Sequence, residues 1–214
     1  LDTETTGLSF KDGHRIVEIA CIETKDLIAT GNVFHRLINP ERNIPEEAFK
    51  VHGFSEKFLS TKEKFDKIAD DFLNFIDGKK IIIHNASFDL GFLNGELRSL
   101  NKNTIDPKNV VDSLEIARNK FPGISNSLDA LCKRFNIDLS KRTKHNALLD
   151  CQLLREVYIN LLDAREPKFN LSTKDLERNS IRDKSYNKKV LEISSNEISM
   201  HKEFLKNEMK KNFY

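Results

Sequence analysis

Long hydrophobic runs are missing from this sequence. Its most strongly hydrophobic run, Ile81–Ile83, is far shorter than the ~20 apolar residues that a membrane-spanning helix requires. Charged residues make up 32% of the chain, and the mean hydropathy is −0.51. These features exclude a transmembrane protein and favour a soluble one.

Paired cysteines are missing as well. Cys21, Cys132 and Cys151 lie far apart and form no CxxC motif. An odd number of separated cysteines argues against a disulfide scaffold or a zinc ribbon and favours a reducing compartment. Because there is no secretory signal either, we expect a cytoplasmic protein. The sequence also begins without a methionine and with a very short first strand, so we expect an incomplete N-terminus.

Length and charge predict one full domain followed by a basic extension. The chain has 214 residues and a formal net charge of +2. Residues 165–214 contain twelve Lys or Arg and eight Asp or Glu, a net charge of +4, which leaves −2 for residues 1–164. A domain with that charge can hold a polyanion only with local help, such as metal ions.

Residues 1–164 alternate between strand-like and helix-like patterns, which predicts an α/β domain. The first predicted strand ends at Glu4. The other predicted strands cover residues 15–23, 32–38, 79–84 and 110–111, and the first three strands form a meander. The predicted helices cover residues 62–76, 87–100, 114–120, 126–135 (capped by Asn126) and 146–162.

The composition changes after residue 162. Residues 165–187 contain few apolar side chains and predict a flexible linker. Asn196 is placed to cap a helix that runs to about Lys211. A short, partly amphipathic helix beyond a linker is typical of a segment that folds on a partner, and a solvated terminal helix fits the same pattern.

Four acidic residues fall at the ends of predicted strands and helices. Asp2 and Glu4 are two positions apart on a strand and so share a face. Asp89 follows the 79–84 strand, and Asp150 lies on the last long helix. Four carboxylates at one site repel one another unless divalent cations lie between them. Oxygen ligands suit Mg²⁺ or Mn²⁺, and two such ions ~3.5–4 Å apart can clamp a phosphodiester.

A histidine precedes the last of these carboxylates by five positions. His145 lies on the loop before the helix of Asp150, from which its side chain can reach the same site. A neutral imidazole can take a proton from an attacking water. Each of these features alone is more often a solvated surface group. Their order along the chain and their positions at element ends favour a single site.

Three motifs carry a family resemblance: residues 2–8 (DTETTGL), 84–89 (HNASFD) and 145–150 (HNALLD). They resemble the motifs of the DEDDh 3′→5′ exonucleases, most closely those of the proofreading (epsilon) subunits of bacterial DNA polymerase III, over residues 1–162. The resemblance implies an RNase H-like α/β fold, with a mixed five-stranded sheet flanked by helices. It also implies hydrolysis of a single-stranded or frayed 3′ DNA end that releases 5′-mononucleotides.

The resemblance further implies a role for each motif residue. The implied catalytic residues are Asp2, Glu4, Asp89, Asp150 and His145: the four carboxylates hold two Mg²⁺ or Mn²⁺ ions, and the histidine is the general base. The implied contacts to the terminal nucleotide are Thr6, Gly7, Leu8, His52 and Asn85. A turn histidine and a turn-forming asparagine are equally open interpretations of the last two. We place Glu18, as a residue on the outer face of its strand, and Asp112 outside the site.

The composition and the resemblance together predict three segments. They are an exonuclease domain (1–164), a linker (165–187) and a segment (188–214) that binds the replicative polymerase catalytic subunit. Residues 166–171 stand where epsilon-like chains carry a sliding-clamp peptide, but Glu166 replaces its first Gln, and an ordinary linker is the alternative. Two other functions stay open. A stand-alone DEDDh exoribonuclease or oligonucleotidase fits the motifs but not the tail. An inactive binding module should have lost a carboxylate or the histidine, and none of them is missing.

Overall fold

The computed structural model describes residues 1–140, 142, 144–163 and 193–208. They belong to two compact units, Leu1–Pro167 and Lys168–Tyr214. The predicted linker 165–187, with its clamp segment 166–171, lies outside the described residues. No helix in the described part of the chain is long and apolar enough to cross a bilayer.

The N-terminal unit is built on three antiparallel strands. β1 (Asp2–Thr5) pairs with β2 (Ile16–Lys25), and β2 pairs with β3 (Ile28–Leu37). The predicted meander is therefore confirmed. All six residues at the start of β2 are buried, and because neighbouring side chains on a strand point to opposite faces, both faces of β2 are covered there.

Two further strands form a parallel pair, β4 (Ile81–Ile83) and β5 (Val110–Asp112). The five strands found among the described residues are thus divided into sheets of three and two, where we expected one mixed sheet. The backbone nitrogen of Leu1 donates to the carbonyl of Ile82 at 2.8 Å. This bond lies just before β1 and links the chain there to β4.

Seven helices of the N-terminal unit are described: α1 (Glu46–His52), α2 (Glu56–Leu59), α3 (Phe65–Ile76), α4 (Ala86–Ser99), α5 (Ser113–Lys120), α6 (Leu128–Arg134) and α7 (Ala147–Leu161). Apolar residues of α3 and α4 form one large core with the strands. A second core joins α5, α6 and α7. α7 also packs on β2, where the Cys151 thiol donates to the Ala20 carbonyl at 3.1 Å.

Two helix caps differ from the prediction. α6 is capped by Ser127, whose hydroxyl accepts the Ala130 N–H at 3.3 Å, while the Asn126 side chain bonds to loop carbonyls instead. In the C-terminal unit, α8 (Ser195–Glu208) is preceded by Ser194, which exchanges hydrogen bonds with Glu197 in a capping box. In both places a serine hydroxyl caps the helix near an asparagine that we expected to do so.

Candidate active site

Three of the predicted site residues meet at the junction of β1 and α7. The potential ligand atoms of Glu4, His145 and Asp150 all lie within 4.8 Å of one another. Glu4 is buried on β1, Asp150 is 3% exposed in the first turn of α7, and His145 is exposed on the preceding loop. They come together because β1 pairs with β2 and α7 packs against β2.

Asp2 and Asp89 lie beside this group. Asp2 is half-buried on β1, two residues from Glu4. Asp89 is buried in the first turn of α4, where its carboxylate accepts the Thr3 hydroxyl at 2.7 Å. The structure therefore brings all four predicted carboxylates to one region, with Glu4 and Asp150 nearest to the histidine.

Burial and mutual repulsion perturb the carboxyl groups strongly. Burial, and then the charges of Asp89, Glu4 and Asp150, raise the pKa of Asp2 well above its ordinary value. Burial, and then the charge of Asp150, raise the pKa of Glu4 to about 8. Burial raises the pKa of Asp89 to about 6 against the opposing Thr3 hydrogen bond. Without a cation, part of the site is therefore protonated at neutral pH.

Asp150 differs from the others because an arginine holds it. Burial raises the pKa of Asp150, but the hydrogen bonds and charge of Arg142, together with the His145 ring beside it, outweigh burial and lower that pKa overall. Nε and Nη2 of Arg142 donate to the two Asp150 oxygens at 2.6 and 2.7 Å. Nη1 donates to Asp129 at 2.6 Å. The sequence prediction missed Arg142, whose partners lie on two different helices.

This set of donors fits a hard divalent cation. Carboxylate oxygens are the ligands that Mg²⁺ and Mn²⁺ prefer, and the raised pKa values of Asp2 and Glu4 reflect crowded negative charge. A cation between these groups would displace their protons and relieve the repulsion.

The perturbed pKa values predict a pH-dependent stability. A folded-state pKa of about 8 for Glu4 means that the native protein binds its proton more tightly than the unfolded chain does. In EDTA the melting temperature should therefore fall as the pH rises, starting above the ordinary carboxyl pKa and levelling off above about 8. Saturating Mg²⁺ should remove this fall, because the cation binds the deprotonated groups of the native state. Thermal melts at several pH values check it.

Glu4→Gln is the control for this prediction. The variant cannot titrate at position 4, so its melting temperature in EDTA should vary less between pH 6 and 8 than that of the wild type. A wild-type profile that stays flat, or that Glu4→Gln leaves unchanged, would contradict the assignment of the raised pKa.

Glu18 corrects the prediction of an outward-facing side chain. Its side chain is 0% exposed and lies opposite Glu4 in the β1–β2 pairing. It accepts three hydrogen bonds: from the Ala147 backbone N–H at 2.9 Å, the Asn146 side chain at 3.0 Å and His35 at 2.7 Å. Glu18 thereby anchors the start of α7. The signal was present in the sequence, since the apolar run on both sides of it predicts a strand covered on both faces.

Asp112 has a similar positioning role, which the sequence prediction also left out. Its carboxylate accepts the backbone N–H groups of Asn85 and Ala86 at 3.0 and 3.1 Å, and that of Leu114 at 2.9 Å. Asn85 precedes α4 and Ala86 begins it, while Leu114 lies in the first turn of α5. One side chain at the end of β5 thus fixes the start of the helix that carries Asp89.

A cavity of about 750 Å³ opens beside the carboxylates. It is lined by residues of several elements, including Asp2, Asn85, Arg142, His145 and Asp150. Asn85 has a left-handed backbone (φ 69°) at the turn before α4, a conformation that asparagine tolerates better than most residues. It is the one predicted nucleotide contact among the residues lining this cavity.

The predicted contacts of the 6–8 turn differ from one another. Thr6 is buried, and its hydroxyl accepts the Arg15 N–H at 3.0 Å. Gly7 passes so close to His14 that a Cβ atom at residue 7 would lie 2.3 Å from the imidazole. Leu8 is 86% exposed. Thr6 and Gly7 therefore shape the turn, and Leu8 has the accessible side chain.

His52, the remaining predicted contact, is buried at the end of α1. Its Nδ1 accepts the Phe54 N–H at 3.0 Å, and its Nε2 has no hydrogen-bond partner. Burial, and then the charge of Lys144, lower the pKa of His52 to about 4. The ring is therefore neutral at physiological pH and carries a proton on Nε2.

Known proteins resemble this chain along most of its length. The exonuclease family model (RNase_T) matches residues 1–158. The chain is 47% identical over 219 residues to DNA polymerase III subunit epsilon of Rickettsia felis, covering 98% of this chain and 96% of that protein. It is 49% identical over 167 residues to DNA polymerase III subunit epsilon of Escherichia coli, covering 74% and 68%.

The fold resembles a solved nuclease. Exonuclease X, in complex with 5′-overhanging duplex DNA, matches with a TM-score of 0.59 and 27% sequence identity over 77% of this chain and 90% of that one. Together these similarities confirm the RNase H-like fold and the activity predicted from the motifs, a 3′→5′ proofreading exonuclease acting on DNA. The chain therefore belongs to the exonuclease (RNase_T) family.

Proposed function

We propose that Asp2, Glu4, Asp89 and Asp150 hold two Mg²⁺ or Mn²⁺ ions and that His145 is the general base of this proofreading exonuclease. The observation that carries the proposal is the meeting of Glu4, His145 and Asp150 within 4.8 Å. These groups come from two segments far apart in sequence, and they include the histidine and two of the carboxylates that the motifs single out.

The side chains divide the hydrolysis between them. When bound, the cations supply Lewis-acid stabilisation of the scissile phosphate and acidify the attacking water. The carboxylates hold the site together, and His145 takes the proton that the water loses as its oxygen bonds to phosphorus. The P–O bond to the 3′ oxygen of the penultimate nucleotide breaks, this oxygen leaves with the electron pair and takes up a proton from solvent, and the terminal nucleotide is released as its 5′-monophosphate.

The cavity beside the carboxylates is where we place the terminal nucleotide. Asn85 lines it, and exposed Leu8 on the 6–8 turn offers an apolar surface to a base or sugar. A contact from His52 stays a prediction: its ring is neutral and its Nε2 has no partner, but that atom is buried, so a nucleotide would reach it only after the residues around it move. Proofreading requires a site that accepts any base, and a mismatched end frays more readily into it.

We propose the segments 1–164, 165–187 and 188–214 as nuclease domain, linker and polymerase-binding segment. Similarity to the Rickettsia felis polymerase III subunit extends over 98% of this chain, which supports a replicative polymerase catalytic subunit as partner. Ile198, Met200 and Phe204 of α8 are exposed, which suits a docking segment. A tether would keep the nuclease near the primer end. Clamp binding through residues 166–171 stays a prediction.

A DNA primer with a 5′ label tests the proposal. With Mg²⁺, the protein should shorten the primer stepwise from its 3′ end, faster when that end is mismatched, and EDTA should abolish the reaction. His145→Ala should abolish it too. An RNA strand of the same sequence is the control for the stand-alone ribonuclease, since clear RNA trimming without DNA cleavage would favour that alternative. No cleavage of either strand would contradict the proposed function.

A further inference from the structure

The side chain of Arg142 lies within the carboxylate site although no motif contains it. It is 8% exposed, and its nitrogens bond to both Asp150 oxygens and to Asp129. Nη2 also lies 2.9 Å from Nδ1 of His145. Arg142 therefore holds two of the three residues that meet within 4.8 Å.

We propose that Arg142 is an internal counter-cation that competes with the metal ion for Asp150. In the metal-free protein its guanidinium pairs with the Asp150 carboxylate and balances that one negative charge. When a cation binds, Arg142 gives up Asp150 and releases His145. This inference rests on the proposed function, because it assumes that Asp150 is a metal ligand.

Charge explains the need for such a residue. Asp150 is buried next to Glu4, Asp2 and Asp89, and a buried carboxylate without a partner destabilises a protein strongly. The bidentate geometry of an arginine matches the two carboxylate oxygens. A metal ion held by Asp150 would use the same carboxylate oxygens. Its +2 charge would then lie close to the +1 guanidinium and repel it. One positive charge is expected to replace the other.

The contact with His145 links this exchange to catalysis. Nδ1 of His145 lies 2.9 Å from Nη2 of Arg142 and 3.5 Å from the Asp150 carboxylate, so the arginine is the nearer partner. Because an arginine side chain only donates hydrogen bonds, a neutral His145 ring accepts this bond at Nδ1 and carries its proton on Nε2. An imidazole in this state has no free nitrogen with which to take a proton from water. Arg142 thus keeps the proposed base occupied, and departure of the guanidinium would free Nδ1 when the metal is in place.

The test compares metal binding and stability in the full chain. Arg142→Met removes the positive charge. Arg142→Lys keeps the charge but cannot bond to both Asp150 oxygens in the bidentate geometry of an arginine. We expect Arg142→Met to bind Mn²⁺ about ten-fold more tightly than the wild type, measured by the electron paramagnetic resonance of free Mn²⁺. It should melt below the wild type in EDTA, and this deficit should largely disappear at saturating Mn²⁺. Arg142→Lys should fall between the two.

Arg15→Met is the matched control. Arg15 also pairs with a mostly buried carboxylate, Glu96 at 2.7 Å, but outside the site. The melting temperature of Arg15→Met should lie below that of the wild type by the same amount in EDTA and in Mn²⁺, because the lost ion pair does not contact the cation site. For Arg142→Met, the gain in Mn²⁺ affinity and the stability recovered in Mn²⁺ belong to one thermodynamic cycle, so the two free-energy changes must agree.

Three results separate the possible failures. If Arg142→Met binds Mn²⁺ no more tightly than the wild type, and its deficit persists at saturation, Arg142 is a structural residue and the inference is overturned. If Arg142→Met does not fold, unchanged affinity of Arg142→Lys overturns it in the same way. If the wild type itself neither binds Mn²⁺ nor gains stability from it, the proposed function fails.

Discussion

Asp150→Asn should reduce the rate of 3′ nucleotide release by about 1,000-fold. The substitution removes a negative charge from the group formed with Glu4 and His145 while keeping the size of the side chain. Loss of one anionic ligand is expected to remove several kcal/mol of transition-state stabilisation, which corresponds to a rate effect of this order. Single-turnover assays on a mismatched primer measure it.

Asp70→Asn is the matched control for this variant. Asp70 is an exposed carboxylate that pairs with Lys102 at 2.5 Å on the surface, so its loss should leave the rate unchanged. The stabilisation by Mn²⁺ should shrink in Asp150→Asn and persist in Asp70→Asn. A rate for Asp150→Asn within ten-fold of the wild type would contradict the role given to Asp150.

Glu18→Ala should have the largest effect on stability. The variant leaves the buried Ala147 N–H and the half-buried Asn146 amide without their shared acceptor, a carboxylate side chain that is itself fully buried. Loss of a buried charged acceptor costs about 3 kcal/mol in free energy of unfolding. Because the anchored end of α7 is next to His145 and Asp150, the rate should fall by about ten-fold as well. Urea unfolding, and assays at low temperature where the variant stays folded, separate the two effects.

Glu23→Gln provides the comparison on the same strand. Glu23 also accepts hydrogen bonds from Thr30, Asn32 and Lys79, but near the surface, where water can replace the lost interactions. Its substitution should change stability little and leave the rate alone. If Glu18→Ala and Glu23→Gln were equally stable and equally active, the anchoring role of Glu18 would be wrong.

The sequence predicts most of the central fold because hydrophobic periodicity is strong there. The meander of β1, β2 and β3, the helix predicted over residues 62–76 and the long helix predicted over residues 146–162 all appear, although β3 begins four residues before the predicted strand. The short helices α1 and α2 were not predicted, since segments of seven and four residues carry too few turns to show a period. The caps at Ser127 and Ser194 show that a choice between neighbouring polar residues depends on local geometry.

The motifs predicted which carboxylates come together, but not what holds them in place. Asp89 and Asp150 sit at helix starts fixed by Asp112 and Glu18, two acidic residues whose neighbours alone do not reveal their partners. Arg142 was missed for a related reason: its bonds reach α6 and α7, and only the packing of those helices brings Asp129 and Asp150 within reach.

The most direct measurement is the time course of a 5′-labelled, mismatched primer incubated with the wild type and with Asp150→Asn, each in Mg²⁺ and in EDTA. We predict stepwise loss of 3′ nucleotides by the wild type in Mg²⁺ and no measurable loss under the other three conditions on the same timescale. Equal shortening by both proteins, or shortening that persists in EDTA, would contradict a metal-dependent exonuclease site built on these carboxylates.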